Sequence, residues 1–238
     1  MKKMKLIRMF FVAVLLVLVL GAFGKSDVQA ASKAKFNYKK IDKSKSFDSG
    51  RVKGVVYYKK VVLKGNSKAI KKINKAIKKD CNKFLNSASA KSLISYAKEA
   101  VNNDYYKNDK IKYYYYAIPK VSYNKKGIIS IRVKTFWFAG GVSNTSVYGL
   151  NYSLKTGKKL NLTNVCEGTP KQIKQTVLNK IGQDNEAASM DWALLNSYKV
   201  KKMAFFLKPE KKAVVCFQPY EISYGGWYRT FTIKSKYK

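Results

Sequence analysis

The side chains that most often carry out enzyme chemistry are scarce or dispersed in this sequence. Its 238 residues include no histidine, three cysteines and 13 acidic residues. Histidine is the commonest metal ligand and the usual base of hydrolytic triads. Metal sites and triads that depend on histidine are therefore excluded. The acidic residues are scattered, and Asp184 and Glu186 lie close together only in an expected loop, which positions a general acid and base poorly. We therefore predict no catalytic residue, no cofactor and no metal site.

Glu221 is the acidic residue with the most unusual surroundings, because it lies among aromatic residues in the segment Phe217–Ile222. We favour a structural hydrogen bond or ion pair for this carboxylate, with a functional role as the alternative. Exposed aromatic rings nearby could contact a glycan. Glu221 and three of these aromatic residues form the first group of candidate ligand-binding residues: Tyr220, Glu221, Tyr224 and Trp227.

Lysine dominates the charged residues and sets the expected function. The chain carries a formal charge of +36, from 49 basic and 13 acidic residues. Only four of the basic residues are arginine: Arg8, Arg51, Arg132 and Arg229. Lysine ammonium groups are flexible and strongly hydrated, so they attract polyanions without the planar, bidentate recognition that arginine provides. This composition predicts a binding protein that is not an enzyme.

Residues 1–30 have the layout of a secretory signal peptide. Four basic residues lie among the first eight, an apolar run extends from Met9 to Leu20, and small residues follow as far as Ala30. The run is short for a membrane crossing, which needs about 20 apolar residues. The alternative is an uncleaved anchor that reaches Phe23, and only in that case would the protein be held in a membrane. Either interpretation places the protein outside the cytoplasm, in the cell envelope or beyond it.

Export determines which polyanion the lysines are expected to meet. Without residues 1–30 the chain retains 44 basic and 12 acidic residues, a net charge of +32. In the cytoplasm such a charge would favour nucleic acid, whose phosphates dominate binding affinity. For an exported protein we expect no nucleic-acid partner in vivo. The expected partner is an anionic cell-wall polymer or peptidoglycan.

The clearest periodic segment is a helix that follows the turn Gly65–Ser67. Its apolar residues recur every three to four positions: Ile70, Ile73, Ile77, Cys81, Phe84 and Leu85. Between them lies the second group of candidate ligand-binding residues: Lys71, Lys72, Lys75, Lys78 and Lys79. The pattern predicts one buried face and one lysine face. An ordinary solvated helix surface is the alternative, although such surfaces usually mix both signs of charge.

The remaining segments predict a mixed fold. Residues 31–50 have the composition of a linker, and residues 52–63 are β-branched and aromatic, as in a strand. The expected later elements are a strand pair at 113–123 and 128–138, a second hairpin from 146 to 162, a helix at 170–181, and strands at 203–207, 213–217 and 228–233. Strands and helices occur in blocks, which predicts an α+β fold: a mostly antiparallel sheet with helices packed on one face. We expect the chain after residue 50 to divide into two segments, residues 51–136 and residues 137–238, which form either one lobe or two.

Two further features are expected of these segments. The run Tyr113–Tyr116 must place two rings on each face of a strand, because successive side chains alternate. The three cysteines Cys81, Cys166 and Cys216 cannot all pair within one chain. We favour small buried thiols, with a Cys166–Cys216 disulfide as the alternative.

Four segments in the C-terminal half resemble a known extracellular domain. They are Phe138–Ser146 with its Gly140-Gly141 pair, Tyr152–Leu162, Phe206–Pro209 and Val215–Ile222. Together they resemble the domain shared by lysozyme-sensing anti-sigma factors of the RsiV type and the non-catalytic region of PdaC-type peptidoglycan deacetylases. The strand and helix from Val52 to Leu85 resemble the segment that precedes that domain in both families. The resemblance covers about residues 51–235.

The departures from these families limit what the resemblance implies. Many relatives have a histidine after the glycine pair, where this chain has Val142-Ser143, so no role for that histidine carries over. The metal-binding histidines of the deacetylase domain cannot exist in a chain without histidine. The resemblance therefore implies a binding module without the deacetylase activity.

Two functions are carried forward from the sequence. The first is an exported, non-catalytic module of a Gram-positive bacterium, retained by anionic wall polymers or peptidoglycan. The second, which the resemblance to the anti-sigma factors implies, is a receptor or inhibitor that binds lysozyme. Animal lysozymes are basic, so long-range repulsion from a chain of net charge +32 would slow their encounter. A wall-modifying enzyme is a third possibility, for which the sequence offers no recognisable site.

Overall fold

The computed structural model describes residues 33–102 and 109–238, and it confirms the α+β class. The strands are β1 Phe36–Asp42, β2 Lys45–Phe47, β3 Val52–Leu63, β4 Ile111–Lys125, β5 Ile128–Phe138, β6 Ser143–Ser153, β7 Ala204–Lys208, β8 Lys212–Phe217 and β9 Arg229–Lys234. The α-helices are α1 Lys68–Leu85, α2 Ala88–Glu99, α3 Leu162–Val165, α4 Pro170–Gly182 and α5 Trp192–Ser197. Short 3-10 turns lie at Asp48–Gly50, Ala100–Asn102, Ala187–Ser189 and Val200–Lys202. Within the described residues, no helix is both long and apolar enough to cross a membrane.

The larger sheet contains the first six strands, in the order β1-β3-β4-β5-β6 with β2 also paired to β3. All of its pairings are antiparallel except that of β3 with β4, which is parallel. Two parallel strands need a crossover connection, and α1 and α2 supply it. Both helices pack on β3 and cover one face of the sheet. The predicted arrangement of a mostly antiparallel sheet with helices on one face is therefore confirmed.

The predicted pairing of β4 with β5 is also confirmed. The two strands form a hairpin whose connecting residues, Lys126 and Gly127, have φ angles of 50° and 72°. Positive φ at both central residues is the geometry that a tight antiparallel hairpin requires, and glycine adopts it without strain. On β4 the four tyrosines divide as expected. Tyr115 stacks on Phe84 of α1, whereas Tyr116 stacks on Tyr57 of β3 on the opposite face.

The predicted linker at residues 31–50 is wrong. Phe36 to Asp42 form β1, which pairs along β3 from Leu63 to Tyr57, and β2 pairs with the start of β3. Most side chains of β1 are exposed, so the segment lacks the apolar alternation by which strands are recognised. A short, lysine-rich strand of this kind is typical of a sheet edge, where charge discourages pairing with other chains.

The predicted second hairpin forms at its turn, where the Ser153 and Leu160 amides donate to the Lys158 and Asn151 carbonyls, but it is much shorter than expected. Strand β6 pairs with β5 along its whole length, from Ser143 opposite Phe138 to Ser153 opposite Ile128. The segment expected to return beside it contributes a single bridge, between Tyr152 and Lys159. The chain then turns into α3. The antiparallel partner that β6 needs is thus the preceding strand, which completes a three-stranded meander.

The smaller sheet, β7-β8-β9, is antiparallel and carries α3, α4 and α5 around a second apolar core. By their contacts, the described residues form one compact unit. The predicted boundary between residues 136 and 137 falls inside β5, and the larger sheet continues through β6. The predicted boundary thus does not separate the two sheets, although each sheet has its own apolar core.

A buried polar network joins the two sheets. Asn151 on β6 donates to the carbonyl oxygen of Phe205 at 2.7 Å, and the Leu207 amide donates to Ser130 Oγ at 2.8 Å. Ser130 Oγ in turn donates to Asn151 Oδ1 at 2.6 Å. Gly149 allows this approach, because a Cβ atom there would lie 1.7 Å from the carbonyl oxygen of Phe205. The side chains of Ser130 and Asn151 both have hydrogen-bond partners, and the resulting network fixes the position of β7 against β6.

Candidate functional site

Helix α1 presents the five predicted lysines as one exposed surface, which we call the α1 lysine face: Lys71, Lys72, Lys75, Lys78 and Lys79. The opposite side of α1 is buried against β3 through Ile73 and Ile77, which are 0% and 1% exposed. The predicted amphipathic helix is confirmed. Among the described residues, none of the four ion pairs involves a lysine of α1. Its positive charge is therefore not neutralised by the fold.

The acidic residue of α1, Asp80, is directed away from the lysine face. Its Oδ2 atom accepts hydrogen bonds from the hydroxyls of Tyr58 and Tyr148, at 2.8 Å and 2.9 Å. Burial, reinforced by the neighbouring carboxylate, raises the pKa of each tyrosine well above its ordinary value, so both hydroxyls remain donors. The two tyrosines thus hold the carboxylate in one orientation.

A cleft of about 940 Å³ opens beside the C-terminal half of α1. From α1 it is lined by four polar side chains, and from the sheet by polar side chains of β5 and β6. The α1 residues are Lys79, Asp80, Asn82 and Lys83, and the sheet residues are Thr135, Ser146 and Tyr148. Phe84 and Tyr115 form an apolar part of the wall, with stacked rings whose centroids lie 4.2 Å apart. The cleft therefore combines charged, amide, hydroxyl and aromatic groups.

The other predicted group lies in residues 218–228, which we call the aromatic loop. Three of its rings are strongly exposed: Tyr220 by 69%, Tyr224 by 89% and Trp227 by 74%. Glu221 is different, because its carboxylate accepts hydrogen bonds from the Tyr198 hydroxyl and from the Gln218 amide within the protein. Burial and the hydrogen bond to Glu221 raise the pKa of Tyr198 to about 12. Glu221 therefore holds the loop in shape, as the structural interpretation of this residue requires.

Of the predicted site residues, Lys79 alone lines the cleft, and the aromatic loop reaches it only through Gln218, which was not predicted. The sequence did not indicate Asn82, Thr135 or Ser146, since they come from separate elements and belong to no motif. One signal was available in Asp80, which is the acidic residue of a helix otherwise rich in lysine.

The cysteines are buried and unpaired, as the favoured interpretation expects. The alternative Cys166–Cys216 disulfide is not formed. Burial raises the pKa of Cys166 to about 11 and that of Cys216 to about 12, and it raises the pKa of Cys81 as well. All three therefore remain neutral thiols at neutral pH. Among the described residues, no three cysteine or acidic side chains are grouped so that they could hold a metal ion.

Comparison with known proteins supports part of the expected resemblance. The family model described as Deacetylase PdaC matches residues 52–143, from the start of β3 to the start of β6. Helix α1 and most of the cleft lie inside this segment. The resemblance to PdaC-type proteins is confirmed for these residues. No curated protein matches the chain.

Two solved structures share the fold. One is a member of the DUF3298 family from Bacteroides fragilis NCTC 9343, with 13% sequence identity and a TM-score of 0.57, covering 85% of this chain and 91% of that one. The other is a DUF3298 family protein from Pseudomonas aeruginosa PAO1, with 12% identity and a TM-score of 0.54, covering 86% of this chain and 92% of that one. At this identity the likeness concerns the fold, which extends over most of each chain.

Proposed function

We propose that this protein is an exported, non-catalytic module that binds anionic polymers of a Gram-positive cell envelope. The observation that carries the proposal is the α1 lysine face, whose charges have no counter-ion within the described residues. The signal-peptide layout of residues 1–30 supports export, and it lies outside the described residues. The polymer is either a teichoic acid or the carboxylate-bearing peptidoglycan.

The electrostatics of α1 suit a polyanion better than a small ion. The lysines lie along successive turns of one helix, so they form a row of positive charge that a chain of negative charges can follow. Near an anionic surface each such lysine contributes roughly 1 kcal/mol of attraction. All five side chains are exposed, so salt weakens their attraction for a polyanion. At 0.1 M ionic strength the attraction is largely screened beyond about 10 Å.

The aromatic loop favours a second candidate function, binding to a protein such as lysozyme. Exposed tyrosine and tryptophan are typical anchors of protein interfaces, and Tyr220, Tyr224 and Trp227 are exposed together. The resemblance to RsiV-type anti-sigma factors points the same way. We rank this function second, because the net charge of the chain opposes a basic partner.

A binding assay on isolated cell walls tests the first function. The purified protein is mixed with Gram-positive walls, with and without teichoic acid, over a series of salt concentrations. We expect retention that falls steeply as salt rises and that depends on the acidic polymer. Retention that does not change with salt would contradict the proposal, and stoichiometric inhibition of lysozyme would favour the second candidate instead.

A further inference from the structure

The cleft beside α1 contains a carboxylate that the protein holds in place and uses only in part. Asp80 receives both of its tyrosine hydrogen bonds on Oδ2. Within the described residues, Oδ1 has no hydrogen-bond partner, and the residue lines the cleft. A fixed carboxylate oxygen of this kind is ready to accept a hydrogen bond from a ligand hydroxyl.

Several donors around the cleft are also unused by the fold. Lys79 and Lys83 take part in none of the described ion pairs, and they lie on either side of Asp80 along α1. The side chains of Asn82, Thr135 and Ser146 make no hydrogen bond to any described residue. These groups can serve an anionic substituent and neutral hydroxyl or amide groups at the same time.

The apolar wall completes the set of contacts. Phe84 is 8% exposed, and its ring lies parallel to that of Tyr115 within 15°. Such a wall suits the C–H face of a sugar ring, which is apolar, whereas the hydroxyls at its edge are polar. The cleft volume of about 940 Å³ lies within the range of roughly 300–1,000 Å³ that is typical of small-molecule sites.

The mixture of charges narrows the class of ligand. A simple anion such as free phosphate would be attracted by Lys79 and Lys83 but repelled by Asp80. A neutral sugar would satisfy Asp80 and the aromatic wall but would leave both ammonium groups without a partner. A sugar that carries an acidic substituent satisfies all of these groups together.

We propose that this cleft binds one acidic sugar unit, a pyranose bearing a carboxylate or a phosphate. Asp80 accepts a hydrogen bond from a sugar hydroxyl, Lys79 and Lys83 bind the acidic substituent, and Phe84 with Tyr115 contacts the ring. The inference rests on the proposed function in one respect, since it names the unit of the envelope polymer that the module recognises. The α1 lysine face then provides general attraction, and the cleft provides selectivity.

Titration of the purified protein with small probes tests the inference. The probes are N-acetylmuramic acid, which carries a carboxylate, glucose 6-phosphate, which carries a phosphate, N-acetylglucosamine, which is neutral, and inorganic phosphate. We expect an acidic sugar to bind at least about tenfold more tightly than the neutral sugar or inorganic phosphate, because each of those lacks part of the set of contacts. Tighter binding of the carboxylate sugar would indicate an envelope glycan with free carboxylates as the source, and tighter binding of the sugar phosphate would indicate a phosphate-bearing polymer such as teichoic acid. Equal binding of inorganic phosphate and the sugar phosphate, or binding of none of the probes, would overturn the inference.

Two variants and a matched control locate the binding site. Asp80→Asn retains an acceptor for the tyrosine hydroxyls but removes the charge, and Lys83→Gln removes one ammonium group from the cleft. Each should weaken acidic-sugar binding by roughly tenfold. Lys171→Gln on α4 is the matched control for Lys83→Gln and should leave the binding unchanged. Thermal unfolding of each variant shows whether it is folded. If folded Asp80→Asn and Lys83→Gln both bind like the parent protein, the cleft is not the site.

Acidic-sugar binding in the cleft and retention on cell walls can be tested separately. Lys71→Gln, Lys75→Gln and Lys78→Gln together change residues outside the cleft, so they should reduce retention on walls and leave acidic-sugar binding intact. Salt-sensitive retention on walls without binding of any acidic sugar would refute the inference and leave the proposed function standing. Binding of acidic sugars without retention on walls would support the inference and contradict the proposed function.

Discussion

Helices α1 and α4 are built alike on the side that faces a sheet and differ on the side that faces water. Each begins at a hydroxyl cap, Ser67 or Thr169, and buries a stripe of apolar side chains against a strand. On α4 the lysines are interspersed with glutamine, threonine and asparagine. Two of them have partners in the fold, because Lys174 donates to the Asn196 carbonyl and Lys180 donates to Gln183 at 3.0 Å.

The lysines of α1 are arranged at a cost to the helix. Lys71 and Lys75, like Lys75 and Lys79, are four residues apart, where like charges repel by about 0.2–0.5 kcal/mol per pair. No acidic neighbour on the face offsets this repulsion, since Asp80 is engaged by two tyrosines. A helix that needed only a soluble surface would resemble α4. The proposed binding to an external polyanion would account for this difference.

The largest expected effect is a loss of stability on the buried side, where the two helices are built alike. Ile73 in α1 and Ile173 in α4 are 0% and 2% exposed, so truncating either to alanine leaves a cavity in a packed core. Each change should lower the free energy of unfolding by about 2–5 kcal/mol. Denaturant unfolding measures both. A loss below about 1 kcal/mol at one site alone would show that the two helices are not equivalent in packing.

The next effect concerns binding, where the helices should differ. Replacing Lys71, Lys75 and Lys78 by glutamine should weaken retention on cell walls on the order of a hundredfold at low salt, at roughly 1 kcal/mol per lysine. The matched control replaces Lys171, Lys174 and Lys180 of α4 by glutamine, which removes the same charge. Wall retention over a salt series distinguishes the two variants. Equal losses would mean that net charge, and not the α1 lysine face, determines binding.

A smaller effect is expected at the helix starts. Ser67 caps α1 with one hydrogen bond, to the Ile70 amide at 3.2 Å. Thr169 and Gln172 cap α4 reciprocally, with bonds of 3.3 Å and 2.8 Å. Ser67→Ala should cost about 1 kcal/mol, and the double change of Thr169 and Gln172 to alanine about twice as much. Thermal unfolding checks the ratio, and equal losses would show that the second bond on α4 contributes nothing.

The smallest expected effect is a gain in stability, whereas the preceding stability effects are losses. The triple glutamine variant of α1 should be more stable than the parent protein by about 0.5–1 kcal/mol at low salt, because like-charge repulsion along the helix is relieved. High salt should remove the gain. The triple variant of α4 should show no gain, since it loses two side-chain hydrogen bonds. Unfolding at low and high salt measures the difference, and a loss of stability in the α1 variant would refute the idea that its charges strain the helix.

Sequence patterns predicted those parts of the fold that depend on local periodicity. The repeat of Ile70, Ile73 and Ile77 defined α1, and alternation on β5 with a glycine turn defined the β4–β5 hairpin. Strand β1 was missed because its exposed, lysine-rich side chains show no buried face. The parallel pairing of β3 with β4 was missed because no residue pattern records which strand lies beside another after a long connection.

The candidate site was predicted only in its outer part. The lysines of α1 and the rings of Tyr220, Tyr224 and Trp227 are conspicuous as residue types, and the structure leaves them exposed. The cleft was not predicted, because it arises where α1, the β5 and β6 strands and Gln218 meet. Its central group, Asp80, acquires its role from Tyr58 and Tyr148, which are 22 and 68 residues away along the chain.

The three buried thiols make the protein a reporter of its own local motions. Cys81 lies in α1, Cys166 follows α3, and Cys216 lies in β8, so each is shielded by a different part of the molecule. A thiol reagent can reach such a side chain only when the surrounding structure opens, and the labelling rate then measures the free energy of that opening. Labelling of Cys81 in the presence of a bound polymer would thus follow the effect of the ligand on α1 itself, with Cys216 as the internal standard.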